Sequence, residues 1–175
     1  MKMIIFDLDG TLADCEHRRH FVDSSMPSPT KKEAQEFLKN GCKWKPNWKE
    51  FYEACDKDKP IEPTIEILDG IYQNTARFWE DVQIWSGREE SVRGKTIKWL
   101  EENILWDDMG SKITLKMRPI GDSMPDDVLK EKWLDETLAQ SKKIDFVFDS
   151  DPKCIKMWNR RGVFVFNCAQ HDGQF

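Results

Sequence analysis

The 175 residues carry a net charge of −5 and a pI near 5.3, which excludes a global basic footprint for duplex DNA, although 27 lysines and arginines leave room for a local basic cleft. A chain of this length is read as one domain with a real core: its hydrophobic fraction of 39% is low, but 8 Trp and 10 Phe supply much apolar area per residue. The first apolar run is short and already contains Asp7, no stretch is long enough for a membrane span, and five scattered cysteines (Cys15, Cys42, Cys55, Cys154, Cys168) form no C-x-x-C pair, so a cytoplasmic protein with reduced thiols is expected.

Lys2 to Phe6 predicts a buried strand, rich in β-branched and aromatic residues and too short for an ordinary helix. It runs into Asp7-Leu8-Asp9-Gly10-Thr11. By the two-residue pleat Asp7 and Asp9 share a side, at the carboxyl end of a strand, where open α/β sheets hold their ligands. Two like charges so close call for a hard divalent cation with oxygen ligands, Mg2+ foremost.

Ala13 to Val22 predicts a short polar helical segment. Its Arg18 and Arg19 either reach an anion near the paired acids or form a solvated face. Cys15, His17 and His20 lack the fourth ligand and the paired spacing of a structural zinc site. Asp23 to Pro29 is a Pro- and Ser-rich loop, and Thr30 caps a helix through Lys31 to Lys39 that Asn40-Gly41 ends. Trp44, Trp48, Phe51 and Tyr52 form an aromatic group, with Asn47 capping a helix from Trp48 to Cys55 whose aromatic face either packs or stacks on a ligand. Asp56 to Pro60 reads as a charged loop.

Pro63 opens a helix with Ile65, Leu68, Ile71 and Tyr72 on one side. Asp81 to Trp85 predicts a second strand, ending at Ser86-Gly87-Arg88. Glu89 then starts a helix to Asn103, with Ser86 as its N-cap and its free N–H groups as a phosphate site. Ile113 to Met117 is a third strand. On the helix that follows, running from Val128 to Leu138, Asp126 and Lys130 are one turn apart, an acid-before-base pair. Lys143 to Phe148 is a fourth strand ending in Asp149-Ser150-Asp151, followed by a helix from Lys153 to Arg161 and a fifth strand from Val163 to Asn167 beside the fourth. Alternating strands and helices predict a doubly wound, Rossmann-like α/β fold: a parallel sheet with helices on both faces, residues 1–175 as a single domain, and residues 15–60 as a small helical cap or lid after the first strand.

Asp7-Leu8-Asp9-Gly10-Thr11 resembles the first signature (DxDGT) of the haloacid dehalogenase-like phosphohydrolases. Ser86, Lys130 and Asp149 match the second, third and fourth signatures, in family order. Ser86-Gly87-Arg88-Glu89 and Asp126 to Glu131 are similar to runs in the polynucleotide 3′-phosphatase branch of that family, represented by the phosphatase domain of bacteriophage polynucleotide kinase. This chain departs from it in having Asp149 and Asp151 separated by Ser150, which leaves open which of the two touches the metal.

The resemblance implies a phosphomonoester hydrolase that works through an aspartyl phosphate. It makes Asp7 the nucleophile and Asp9 the general acid and base, and gives Ser86 and Lys130 the phosphoryl oxygens, with Lys116 a weaker alternative to Lys130. It makes Mg2+ the cofactor, held by Asp7, Asp9 (through its carbonyl), Asp149 and Asp151, and assigns Thr11, Arg18, Gly87, Arg88 and Asp126 to the substrate, with the two arginines clamping phosphate. The implied substrate is a 3′-phosphate on a nucleotide or nucleic-acid end, with a nucleoside 5′-monophosphate or another small phosphoester as the alternative. A phosphotransferase, and in a different class a non-catalytic phosphate-binding protein, complete the readings. No obligatory protein partner is implied, and the 175 residues contain no G-x-x-x-x-G-K-[ST] run for a P-loop kinase.

Overall fold

A computed structural model describes residues 2–24, 45–73, 81–104 and 113–169. Its strands in chain order are β1 (Lys2–Asp7), β2 (Ala13–Asp14), β3 (Lys59–Pro60), β4 (Asp81–Glu89), β5 (Ile113–Arg118), β6 (Lys143–Asp149) and β7 (Phe164–Asn167). Five of them form one sheet in the order β5-β4-β1-β6-β7, with every pairing parallel. β2 and β3 form a separate antiparallel ribbon, so the predicted charged loop at Asp56 to Pro60 is partly strand. The helices are α1 (Trp48–Glu53), α2 (Glu62–Gln73), α3 (Arg93–Asn103), α4 (Asp126–Ala139) and α5 (Pro152–Arg160), with a 3-10 turn over Glu16–Phe21.

β1 is buried on both faces, which is why it reads as a continuous apolar run rather than an alternating one. Its residues divide by parity. Ile4 and Phe6 join a core with Ile65 and Leu68 of α2 and Trp99 and Leu100 of α3. Met3 and Ile5 join a second core with Leu129, Trp133 and Leu134 of α4 and Met157 and Trp158 of α5. Helices therefore cover both sides of the sheet, as the alternation of elements predicts. The chain winds one way from β1 to β4 and β5 and the other way to β6 and β7. The crevice of the fold thus lies at the carboxyl ends of β1 and β6, beneath Asp7 and Asp149.

Asn47 caps α1 as predicted, its side chain accepting from the Glu50 N–H. The predicted helix from Lys31 to Lys39, and Trp44, lie outside the described residues. Among the described residues no helix is long and apolar enough to cross a membrane.

Candidate active site

Asp7 ends β1 with the parity of Met3 and Ile5, so it faces the α4 side of the sheet. There the fully buried Lys130 of α4 donates to Asp7 Oδ1 at 2.8 Å and to Asp149 Oδ2 at 2.9 Å. Asp149 is held further by Trp158 Nε1 at 3.0 Å and by the Asp151 N–H at 3.0 Å, and Asp7 Oδ2 receives a long hydrogen bond from Thr11 Oγ1 at 3.4 Å. Burial pushes the Asp7 carboxyl up to about 8; the Lys130 ammonium pulls the other way, and Asp149 adds to the rise. Lys130 stays firmly protonated, because the two carboxylates outweigh the desolvation that burial imposes on it. One ammonium serves two carboxyl groups, so ionising both would leave this buried cluster an excess of negative charge.

Asp9 does not join Asp7. The chain leaves strand geometry after Asp7: the Leu8 carbonyl accepts from the N–H groups of Thr11, Leu12 and Ala13, and Gly10 takes φ +83°. The two-residue pleat therefore stops applying, and the expectation that Asp7 and Asp9 share a side is corrected. Asp9 Oδ1 accepts instead from Arg18 Nη2 at 2.7 Å and from Arg88 Nη2 at 2.6 Å. Both guanidiniums also bind Asp58 Oδ2 at 2.6 Å, and Arg18 Nε reaches Asp58 Oδ1 at 2.7 Å. Burial alone would raise the Asp9 carboxyl, but Arg88 and then Arg18 overcome it and hold it at about 2.

This second cluster balances two acids against two bases. It also corrects the expected phosphate clamp: Arg18 and Arg88 are fully buried and engaged with Asp9 and Asp58 rather than facing the cleft. Arg18 further stacks on the Phe51 ring, 4.1 Å from its centroid, and donates to the Phe51 carbonyl at 3.1 Å, so α1 hangs on the same guanidinium. Asp58 is the functional residue that sequence reading missed. It is buried although it sits in the alternating Asp56-Lys57-Asp58-Lys59 run. The one available signal was a mismatch of charge: two arginines assigned to a cleft need carboxylates to pair with.

Two further expectations need correcting. β4 continues through Ser86 and Gly87 to Glu89, a 3-10 turn follows over Glu90–Val92, and α3 begins only at Arg93. Ser86 is thus no N-cap, and no helix start lies beside it; its hydroxyl is buried and accepts from the Arg88 N–H at 3.1 Å. The helical pair of Asp126 and Lys130 is not made either. Lys130 turns to Asp7 and Asp149, while Asp126 pairs with Arg118. Arg118 also donates to the carbonyls of Gly87 at 2.8 Å and Met124 at 2.7 Å, and so ties the loop after β5 to β4. A Cβ at Gly87 would stand 2.6 Å from Asp126 Oδ2, so a side chain there would displace the Asp126 carboxylate.

Lys116 lies over the Trp85 and Trp133 rings and bonds Glu136 at 3.0 Å, away from the two carboxylates. Asp151 caps α5, its Oδ1 accepting from the N–H groups of Lys153 at 2.7 Å and Cys154 at 2.9 Å. His17 bonds Asp58, and His20 lies against the His17 carbonyl. Among the described residues, no three His, Cys, Asp or Glu side chains form a ready-made cation site.

A cleft of about 520 Å3 opens over the first cluster. Asp7, Asp9, Gly87, Asp126, Lys130 and Asp151 form its floor and sides, and Trp48, Phe51 and Tyr52 contribute an aromatic wall. Carboxylates and an ammonium at the switch point of a parallel sheet form a site for polar, charged chemistry.

Comparison with known proteins agrees with this fold. The chain is similar over 98% of its length, at 20% identity and a TM-score of 0.62, to a structure of the Pnkp1/Rnl/Hen1 RNA repair complex, spanning 43% of that chain. It is similar over 94%, at 14% identity and a TM-score of 0.56, to a haloacid dehalogenase-like hydrolase from Streptococcus pneumoniae, spanning 83% of that chain. A class C acid phosphatase from Bacillus anthracis matches over 98%, at 15% identity and a TM-score of 0.50, with 68% of that chain covered. The chain thus spans less than half the length of the RNA repair proteins it matches. At these identities the likenesses establish the fold. The family is established by residues 47–175, well over half of the chain, which match the polynucleotide kinase PNKP phosphatase domain. The chain belongs to that phosphatase-domain family within the haloacid dehalogenase superfamily, and it is a phosphatase acting on a phosphorylated substrate.

Proposed function

We propose that this chain hydrolyses the 3′-phosphate of a nucleic-acid end or nucleotide, through an aspartyl phosphate on Asp7. The observation that carries the reading is Asp7 and Asp149 meeting over one buried lysine at the switch point, in a chain of the polynucleotide kinase phosphatase family. Asp7 Oδ2, with only the long bond from Thr11, is the oxygen that attacks phosphorus, and the ester P–O bond breaks as the new bond forms. Water then attacks the phosphorus of the aspartyl phosphate, releases inorganic phosphate and restores the Asp7 carboxylate. Asp9, ionised between its two guanidiniums, is in the form that accepts the proton of that water. To act as acid toward the leaving oxygen in the first step, Asp9 must first take up a proton from solvent as substrate loosens one of those pairs; the attacking water then returns a proton to it in the second step. Lys130 offsets charge on the phosphoryl oxygens.

The donor set fits Mg2+: the Asp7 and Asp149 carboxyl groups are hard oxygen ligands that share one ammonium and would carry an excess of negative charge once both ionise, and the Asp9 carbonyl, which accepts from Ser150 Oγ, would add a third oxygen. Bound there, Mg2+ would neutralise charge on the transferring group. Asp149, at the strand end, is the metal residue rather than the helix-capping Asp151. Residues 15–60 act as a lid, and their described part supplies the aromatic wall.

A panel of 3′- and 5′-phosphorylated mononucleotides and oligonucleotides with Mg2+ tests the substrate. Faster phosphate release from the 3′-phosphorylated members is expected, and a preference for 5′-monophosphates would overturn the choice. The burial of Arg88 makes a second prediction. Arg88→Ala should lower phosphate release from 3′-nucleotides and p-nitrophenyl phosphate by a similar factor, about 100-fold or more, because it frees Asp9 rather than a substrate group. A loss confined to nucleotides, read by steady-state kinetics, would return Arg88 to the substrate.

A further inference from the structure

Trp48 is half exposed, whereas Trp85, Trp99, Trp133 and Trp158 are buried in the two cores. Its ring is nevertheless held in place: it meets Phe51 edge-on at 5.7 Å and leans on Tyr52 at 5.9 Å with 31° between the planes. Trp48 and Tyr52 line the catalytic cleft, and they also line a second hollow of about 320 Å3 beside it. The two spaces share a wall, so a substrate seated with its phosphate in the first reaches the second.

The rim of the second hollow carries Lys49, Glu53, Glu89 and Ser91. Glu53 is paired with Lys95 at 2.7 Å, and Glu89 accepts from Ser91 Oγ and the Gly121 N–H. Lysine and glutamates together give no surplus positive charge, so the hollow does not suit a second phosphate. It offers a flat aromatic surface with polar edges, which suits an uncharged planar heterocycle. We propose that this hollow is a nucleobase subsite, in which a base of the phosphorylated strand end stacks on Trp48 while its phosphate occupies the catalytic cleft. This rests on the nucleic-acid reading given above.

The test is the ratio of kcat/KM for a 3′-phosphorylated oligonucleotide to that for p-nitrophenyl phosphate, which has no base. A stacked base sets an expected fall in this ratio of about 10- to 100-fold for Trp48→Ala, with most of it retained in Trp48→Phe. Ser91→Trp, at an exposed rim position, fills the hollow and should lower the ratio similarly. An oligonucleotide with abasic sites at its phosphorylated end should give the unsubstituted protein the low ratio of Trp48→Ala, with no further loss in that variant. Stacking is not screened by ions, so the effect should persist at high salt. An unchanged ratio in both Trp48→Ala and Ser91→Trp, or full activity on the abasic substrate, overturns the subsite alone. Hydrolysis of p-nitrophenyl phosphate without any action on 3′-phosphorylated oligonucleotides overturns the substrate reading and the subsite together.

Discussion

Asp7→Asn should abolish the release of inorganic phosphate, by at least about 1,000-fold, while raising the melting temperature of the metal-free protein at pH 8. The two effects have one cause. A nucleophile must be ionised, yet ionising Asp7 inside the sheet is costly, first because burial removes its water and then because Asp149 shares the one lysine. Its carboxyl is pushed up to about 8 in the fold, against an ordinary value of 3.8. A raised value contributes stability that is complete below the ordinary value and is lost as pH rises through the folded one. Asn cannot ionise and pays no such penalty. In chelator, the variant should melt above the unsubstituted protein at pH 8 to 9, and the gap should close as pH falls toward 4. Added Mg2+ should raise the melting temperature of the unsubstituted protein much more than that of the variant. Residual turnover would remove Asp7 as nucleophile, and a gap that does not vary with pH would remove burial as the source of its raised value.

Lys130→Met should be the most destabilising single change in the site. Lys130 is the cation bonded to Asp7 and Asp149, and all three groups are buried. Truncating one partner of a buried ionic group costs about 3–5 kcal/mol, because the charges left behind have neither water nor a partner. Phosphate release should fall at least about 100-fold alongside. Urea unfolding at pH 7 in chelator measures the first loss and steady-state kinetics the second. Lowering the pH should recover part of the stability by protonating the stranded carboxylates, and added Mg2+ should do the same at neutral pH. An unfolding free energy within about 1 kcal/mol of the unsubstituted protein would mean that the carboxylates are not paying for burial as described.

The strands were legible because burial writes itself into composition. Met3 to Phe6 and Phe146 to Phe148 are apolar runs that only a covered sheet tolerates, and each ends where its acid must leave the hydrophobic layers. Asp7 and Asp149 could be anticipated as the acids that end buried strands, whereas Lys130, inside α4, was singled out by the family resemblance alone. The second cluster was not legible. Asp58 meets Arg88 over 30 residues of chain and Arg18 over 40, Arg88 meets Asp9 over 79, and nothing local distinguishes a buried charge from a solvated one. The pleat rule failed at Asp9 for a related reason: it presumes that the strand goes on, and Gly10 turns the backbone first. The start of α3 was misplaced because Ser86-Gly87 has the composition of a cap, whereas pairing with β5 carries β4 onward to Glu89.

The fourfold ionic knot of Asp9, Arg18, Asp58 and Arg88 joins β4 and the turn after β1 to the segment proposed as a lid. Arg18 and Asp58 belong to the proposed lid, Arg88 to β4 and Asp9 to the turn that follows β1. Anyone exchanging that segment to redirect the enzyme toward new substrates must therefore transplant Arg18 and Asp58 with it. A chimera that omitted them would keep the bond between Arg88 and Asp9 but lose the other acid and the other base of the knot.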